Sequence, residues 1–368
     1  MIYSDLVAFV IALIASLSLT VPVRSLALHY GFVDLPGPRK VHLKPIPLLG
    51  GAAIYLGFVL AIIFTLHGAP RLQVASILAG GTLVVGIGFL DDRGLLHHQV
   101  KLFIGMPIAA ILLVASGIRA QFFSQFVPGT SGLIFDVCLT IFWVVGITAA
   151  FSILDHMDGL CAGIAAVAAA FFTVAASLND QTMVRTLGAA AFGAALGFLR
   201  WNFNPAKIFM GDGGAMFLGF LMATLGLKIH PEGASFPASW LVPVLILAVP
   251  VFDTSLISIS RTRRGLLPFT SPGKDHTAHR LSNLGLGHRG AVLALYFLAA
   301  LCGTLGLLIP SLAPKTAYLL AGALVLFGFA AVVFLESVPY ERQPKRGNSP
   351  QSTEPRTEQC SMQNSEPA

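Results

Sequence analysis

Leu133-Ile-Phe-Asp136-Val-Cys138-Leu-Thr-Ile-Phe-Trp143-Val-Val-Gly-Ile-Thr-Ala149-Ala-Phe-Ser152-Ile-Leu-Asp155-His156-Met-Asp158-Gly159-Leu160-Cys161-Ala-Gly-Ile-Ala-Ala-Val-Ala-Ala-Ala-Phe171-Phe-Thr-Val-Ala-Ala-Ser177-Leu178 decides the fold. Two apolar runs, 133–151 and 160–178, are each long enough to cross about 30 Å of hydrocarbon as a helix. The connection between them is too short for a free loop, so Asp155 and Asp158 fall on helix ends. Carboxylates beside apolar helices are costly, and their presence there points to function. The i,i+3 spacing puts both on one helical face if the turn persists. One of them as a simple cap is the bland alternative.

Working outward, the same pattern of apolar run and polar connection recurs along the chain. Of 368 residues, 55% are hydrophobic and 11% charged, with mean hydropathy +0.79; ordinary soluble domains carry about 25% charged residues. A soluble globular enzyme is excluded, and the expected fold is an all-α polytopic membrane protein. About eleven spans are expected, at 5–27, 48–67, 72–90, 102–118, 133–151, 160–178, 184–200, 213–229, 239–259, 291–310 and 315–336. The first span lacks a basic leader and a small-residue cleavage site, and reads as a retained helix. Residues 1–336 form the expected transmembrane domain. Residues 337–368, rich in Pro, Ser, Gln and Glu, form an expected disordered cytoplasmic tail. Cys138, Cys161, Cys302 and Cys360 have no CxxC spacing, which argues against a disulfide framework or a zinc site.

Basic residues set the expected orientation. Eighteen of the 23 Lys and Arg lie on one face of the threaded chain, leaving Arg71, Arg119, Arg185, Lys228 and Lys315 on the other. By the positive-inside bias the N-terminus is outside and the tail inside. Asp34, Asp91, Asp92, Asp155, Asp158, Asp212, Asp253 and Asp275 then share the cytoplasmic face. No nucleic-acid partner is expected.

Several connections on that face carry chemistry. Asp34 to Gly51 holds Arg39, Lys40, His42 and Lys44 in a proline-fixed frame suited to an anionic headgroup, though an ordinary positive-inside loop also needs cations. Asp91-Asp92-Arg93-Gly94 ends the third span, with Lys101 following; adjacent carboxylates suit a hard cation, or cap and stop a helix. Asn202-Phe-Asn204-Pro-Ala-Lys207-Ile-Phe-Met210-Gly211-Asp212-Gly213-Gly214 combines oxygen ligands with glycines that let helix-start N–H groups approach phosphate. In the longest loop, His276 and His279 can share a helix face without a third close ligand in sequence, so hydrogen bonding is the expected use.

In this order the motifs Arg39-Lys40-x-His42, Asp91-Asp92, Asp155-x-x-Asp158-Gly159-Leu160, Asn202 with Phe209-Met210-Gly211-Asp212, and His276-x-x-His279-Arg280-Leu281 resemble the polyprenyl-phosphate N-acetylhexosamine-1-phosphate transferases. The resemblance spans about residues 30–290. That family usually carries two asparagines where this chain has Ala149 and Ser152, Asn or Gly at His156, and Ser at Ala215. Thinned polar support around the aspartates is therefore expected.

The resemblance implies transfer of an N-acetylhexosamine 1-phosphate, GlcNAc-1-phosphate first among them, from a UDP-sugar to undecaprenyl phosphate with release of UMP. It implies Mg²⁺, with Mn²⁺ as a substitute, held by Asp212, Asp92 and Asp155. It gives catalytic roles to Asp91, Asp92, Asp155 and Asp158. Substrate contacts fall to Lys40, His42, Lys44, Lys101, Asn202, His276, His279 and Arg280. The implied setting is the inner membrane with the active site facing the cytoplasm, among membrane lipid, and a homodimer is compatible with it. Phospho-N-acetylmuramoyl-pentapeptide transferase is the alternative within the superfamily. A cation transporter with a carboxylate-lined path is the alternative from another class.

Overall fold

The computed structural model describes residues 2–35, 45–96, 98–231, 236–267 and 273–340. It is all-α apart from one two-residue strand pair. The helices in chain order are α1 (Ile2–His29), α2 (Gly50–Thr65), α3 (Arg71–Asp92), α4 (His98–Val100), α5 (Met106–Ala115), α6 (Thr130–Leu154), α7 (Leu160–Leu178), α8 (Thr182–Asn202), α9 (Gly211–Lys228), α10 (Phe236–Ile246), α11 (Ala248–Arg263), α12 (Thr277–Leu281), α13 (Gly287–Leu308) and α14 (Pro314–Ser337). A π-turn, Lys101–Gly105, joins α4 to α5. Strands β1 (Val33–Asp34) and β2 (Ile46–Pro47) pair antiparallel, Val33 opposite Pro47 and Asp34 opposite Ile46, and so close the base of the loop between α1 and α2.

Among the described residues, seven helices are long and apolar enough to cross a membrane: 4–29, 71–92, 130–154, 160–178, 182–202, 277–311 and 314–337. Helices 50–65 and 101–115 are apolar but shorter. The segment expected as one span over 239–259 is broken, with 239–246 and 248–263 meeting at 74°. Proline explains the break: Pro250 has no N–H to offer the Ile246 carbonyl, so the helical ladder fails at Leu247.

Helix α9 is the axis of the molecule. Every residue from Gly213 to Leu227 is buried, as a helix apolar all round must be. Small residues let neighbours reach its backbone. Gly51 of α2 lies against Gly214, and Gly88 of α3 against Gly213, each so close that a Cβ would enter the opposite main chain. These contacts fix the ends of α2 and α3 beside the start of α9. At the other extreme α14 is 11% buried over its apolar stretch and forms the rim.

Candidate active site

Three helix ends meet around one ammonium group. Lys101 Nζ, on the π-turn, lies 2.6 Å from Asp91 Oδ2 at the end of α3 and 2.6 Å from Asp212 Oδ2 at the start of α9. Residues in a π-turn often mark functional positions. Ser152 Oγ, near the end of α6, donates to Asp212 Oδ1 at 2.5 Å. Asp212 is thereby oriented from both sides. Ser152 supplies a donor at one of the positions where the resembled family has asparagine, whereas Ala149 beside it is buried and apolar.

Asp92 faces the start of α9. Its Oδ1 accepts the Asp212 N–H at 2.9 Å, and its Oδ2 lies 3.5 Å from the Gly213 nitrogen. Gly211 is left-handed (φ +70°), and Asp92 Oδ2 lies where a side chain would begin. The helix-start N–H groups expected to approach a phosphate are therefore taken by the Asp92 carboxylate, which caps α9.

Asp155 terminates α6. Burial, and then the negative charges of Asp212, Asp92 and Asp158, hold its carboxyl well above the usual carboxylate range. Asp91, Asp92, Asp155 and Asp212 crowd together with Lys101 as the cation among the described residues.

Other predicted residues stand behind this centre rather than in it. Asn202 is buried, with Oδ1 accepting the Gly159 N–H and Nδ2 donating to the Ile208 carbonyl. Gly159 is left-handed (φ +78°), which turns the chain from α6 into α7. Asp158 Oδ2 accepts from Asn204 Nδ2 and the Ala206 N–H, each at 3.0 Å. Asp158 and Asn202 thus pin the 203–210 loop to the α6–α7 turn. The catalytic role expected of Asp158 and the substrate contact expected of Asn202 are therefore accompanied by hydrogen bonds within the protein. Arg289 Nε and Tyr296 Oη extend the same network, to Asn204 Oδ1 and the Gly159 carbonyl.

The histidine loop closes over the α6–α7 turn. His276 is buried, with Nδ1 3.0 Å from Asp253 Oδ2, and the Thr277 N–H donates to Asp253 Oδ1 at 2.7 Å. The His156 ring stacks on His276 with centroids 3.8 Å apart, and lies 5.0 Å from that of His279. Burial, followed by the neighbouring His276, pushes His156 well below the ordinary imidazole range, so it is neutral at pH 7. The third close ligand that the sequence does not place beside His276 is present in space: His156, Asp253 and His276 each offer a ligand atom within 4.8 Å of the others.

Arg280 does not face this site. It is fully buried; Nε donates to the Asp275 carbonyl, Nη1 to the Leu335 carbonyl at 2.6 Å, and Nη2 to Ser260 Oγ and to Glu336 Oε1 at 2.7 Å. Tyr340 covers its guanidinium at 4.0 Å. The residue expected to contact substrate is thus tied into a knot of protein partners. The knot also reaches past residue 336 into the segment expected to be disordered tail. Asp275 is clamped by Arg261 and Arg264. Burial alone would raise its carboxyl, but the hydrogen bond and charge of Arg261, with Arg264, hold it at about 2. Lys40, His42, Lys44 and residues 341–368 lie outside the described residues.

Sequence reasoning missed Ser152 as a donor, the Asp253–His276 pair and the interior place of Arg280. Only Ser152 left a signal, as a small polar residue among apolar ones facing Asp212 in the motif order.

A model of glycosyl transferase family 4 matches residues 74–230, which include Asp91, Asp92, Lys101, Asp155, Asp158, Asn202 and Asp212. The chain is similar to the probable undecaprenyl-phosphate N-acetylglucosaminyl 1-phosphate transferase of Bacillus subtilis (strain 168), 36% identical over 296 residues, covering 79% of this chain and 81% of that protein. It is 33% identical over 345 residues to the decaprenyl-phosphate N-acetylglucosaminephosphotransferase of Mycobacterium tuberculosis (strain ATCC 25618 / H37Rv), covering 85% of each. With the undecaprenyl-phosphate alpha-N-acetylglucosaminyl 1-phosphate transferase of Escherichia coli (strain K12) it shares 28% over 354 residues, 90% of this chain and 93% of that one.

Proposed function

From the premise that the chain belongs to glycosyl transferase family 4, we propose that it transfers N-acetylglucosamine 1-phosphate from a UDP-linked donor to a polyprenyl phosphate, undecaprenyl phosphate in the first instance, and releases UMP. The names of its relatives support the acceptor and the transferred group. The observation that carries the reading to these residues is the Lys101 ammonium shared by Asp91 and Asp212 at the junction of three helix ends. The proposed setting is the inner membrane, with eleven crossings, the N-terminus outside and this junction facing the cytoplasm.

In the reaction a lipid phosphate oxygen attacks the β-phosphorus of the donor. The bond from that phosphorus to the bridging oxygen breaks, and the electron pair leaves with UMP. A phosphate monoester with second pKa near ~6 is already mostly dianionic at pH 7. Little deprotonation is needed, and the barrier lies in bringing anions together. Lys101 supplies positive charge there, and Asp91 positions its ammonium. Ser152 and Lys101 hold the Asp212 carboxylate in place, while Asp92 fixes the start of α9. His279 is half-buried, with its ring 5.0 Å from that of His156.

The donor set fits a hard divalent cation. Asp155, Asp212 and Asp92 are oxygen ligands, and the Asp155 carboxylate carries an uncompensated cost of ionisation that such a cation removes. These residues would hold Mg²⁺, or Mn²⁺ in its place, which when bound neutralises the diphosphate and the departing UMP. Purified protein with Mg²⁺, undecaprenyl phosphate and UDP-GlcNAc should release UMP and form the diphospho-lipid by mass. Asp212→Ala should lower the rate on the order of 10²-fold or more. Full Mg²⁺-dependent UMP release by that variant would sink the reading.

A further inference from the structure

His156 is a chemical outlier in its surroundings. It occupies the turn between α6 and α7, and its Nδ1 lies 3.2 Å from the Ile153 carbonyl. A carbonyl only accepts, so Nδ1 carries the proton and Nε2 presents a lone pair. Among the described residues that Nε2 is buried and has no hydrogen-bond partner. A buried acceptor without a donor costs about 1–3 kcal/mol. Beside it, His276 Nδ1 lies 3.0 Å from Asp253 Oδ2, so a cation that replaced the proton between them would meet a nitrogen and an oxygen ligand next to the His156 lone pair.

We propose that His156, His276 and Asp253 form a binding site for a borderline divalent cation of the Zn²⁺ class, separate from the oxygen-only site at Asp212. One ligand atom from each of the three residues lies within 4.8 Å of the others. A tetrahedral shell with bonds of about 2.0–2.2 Å needs ligand atoms roughly 3.3–3.6 Å apart. Closing that gap requires the His156 and His276 rings, stacked with centroids 3.8 Å apart, to turn out of their stack so that both lone pairs meet the ion. The donor set separates the two sites by chemistry: imidazole nitrogens suit Zn²⁺ and Co²⁺, whereas Mg²⁺ prefers oxygen. Two histidines and one carboxylate leave a fourth position for water or another ligand. A bound ion would tie the α6–α7 turn to α11 and to the start of α12, three elements distant in sequence.

The test reads binding, not turnover, so it stands or falls apart from the transferase reading. Tag-free full-length protein in detergent with excess Mg²⁺ is titrated with Co²⁺ and then Zn²⁺. The expected result is one equivalent of Co²⁺ with visible d–d bands, no thiolate charge-transfer band, and displacement by Zn²⁺. His156→Asn should weaken Zn²⁺ binding at least about tenfold, since losing even a residue behind a ligand costs 10–100-fold. X-ray absorption at the zinc edge of the wild-type protein, which needs no variant to fold, should show imidazole scattering and no sulfur. Thiolate bands, sulfur in the first shell, no saturable Co²⁺ binding in excess Mg²⁺, or unchanged affinity in a folded His156→Asn protein would each overturn the proposal.

Discussion

Ser152 and Arg280 show how little residue identity says about role until neighbours are known. Ser152 stands at a position where a longer amide is usual in the resembled family, yet its hydroxyl reaches Asp212 at 2.5 Å. Ser152→Ala should remove that donor and lower the transfer rate about tenfold, roughly the 1.4 kcal/mol of one hydrogen bond to a charged group. Ser152→Asn should recover most of the loss, a pairing checked by steady-state UMP release. Arg280 is the opposite case. A motif cation next to two histidines suggests a phosphate contact, but its partners are Glu336, Ser260 and two carbonyls. Arg280→Met leaves Glu336 without its short ion pair and should cost about 3–5 kcal/mol, seen as a lower melting temperature in detergent. The donor KM of whatever folded fraction remains should be unchanged.

Among elements, the helices were legible in the sequence and their ends were not. Apolar runs at 133–151 and 160–178 became α6 and α7 because hydrocarbon-length apolar stretches have one low-cost conformation. The break at Leu247 was not legible, since two prolines within an apolar run can equally leave a kinked continuous helix. Nor was the capping of α9 by Asp92, which joins residues 120 apart in sequence. The packing of α11 against the loop before α12 has its own pH signature. Asp275 has an ordinary value of 3.8 and is held at about 2 in the folded chain. A lowered carboxylate adds stability that is complete above the unfolded value and is lost as pH falls through the folded one. Thermal unfolding should therefore lose about 2 kcal/mol between pH ~4 and ~2, and Asp275→Asn should flatten that part of the profile.

At the scale of the whole molecule, part of the set of eight aspartates expected on one face comes together around the start of α9. Asp91, Asp92, Asp155 and Asp212 lie together, with Asp253 behind His276 and Asp275 behind Arg261. Charge bias could suggest that grouping, because threading by Lys and Arg counts needs no contacts. It could not say which carboxylates face substrate and which hold loops. Orientation can be checked directly on a cysteine-free background. Lys315→Cys should react with a membrane-impermeant maleimide in intact cells, and Lys274→Cys only after permeabilisation; the reverse pattern would invert the topology.

The knot at Arg280 has a consequence in time. Its partners Leu335, Glu336 and Tyr340 leave the ribosome after every other part of the site has been made. Until they arrive, a guanidinium beside the histidine loop has no acceptors on that side. A chain stopped by a premature codon near residue 330 would hold every residue of the reaction centre and still lack what seats the loop, so quality-control proteases should meet it as an unfinished protein.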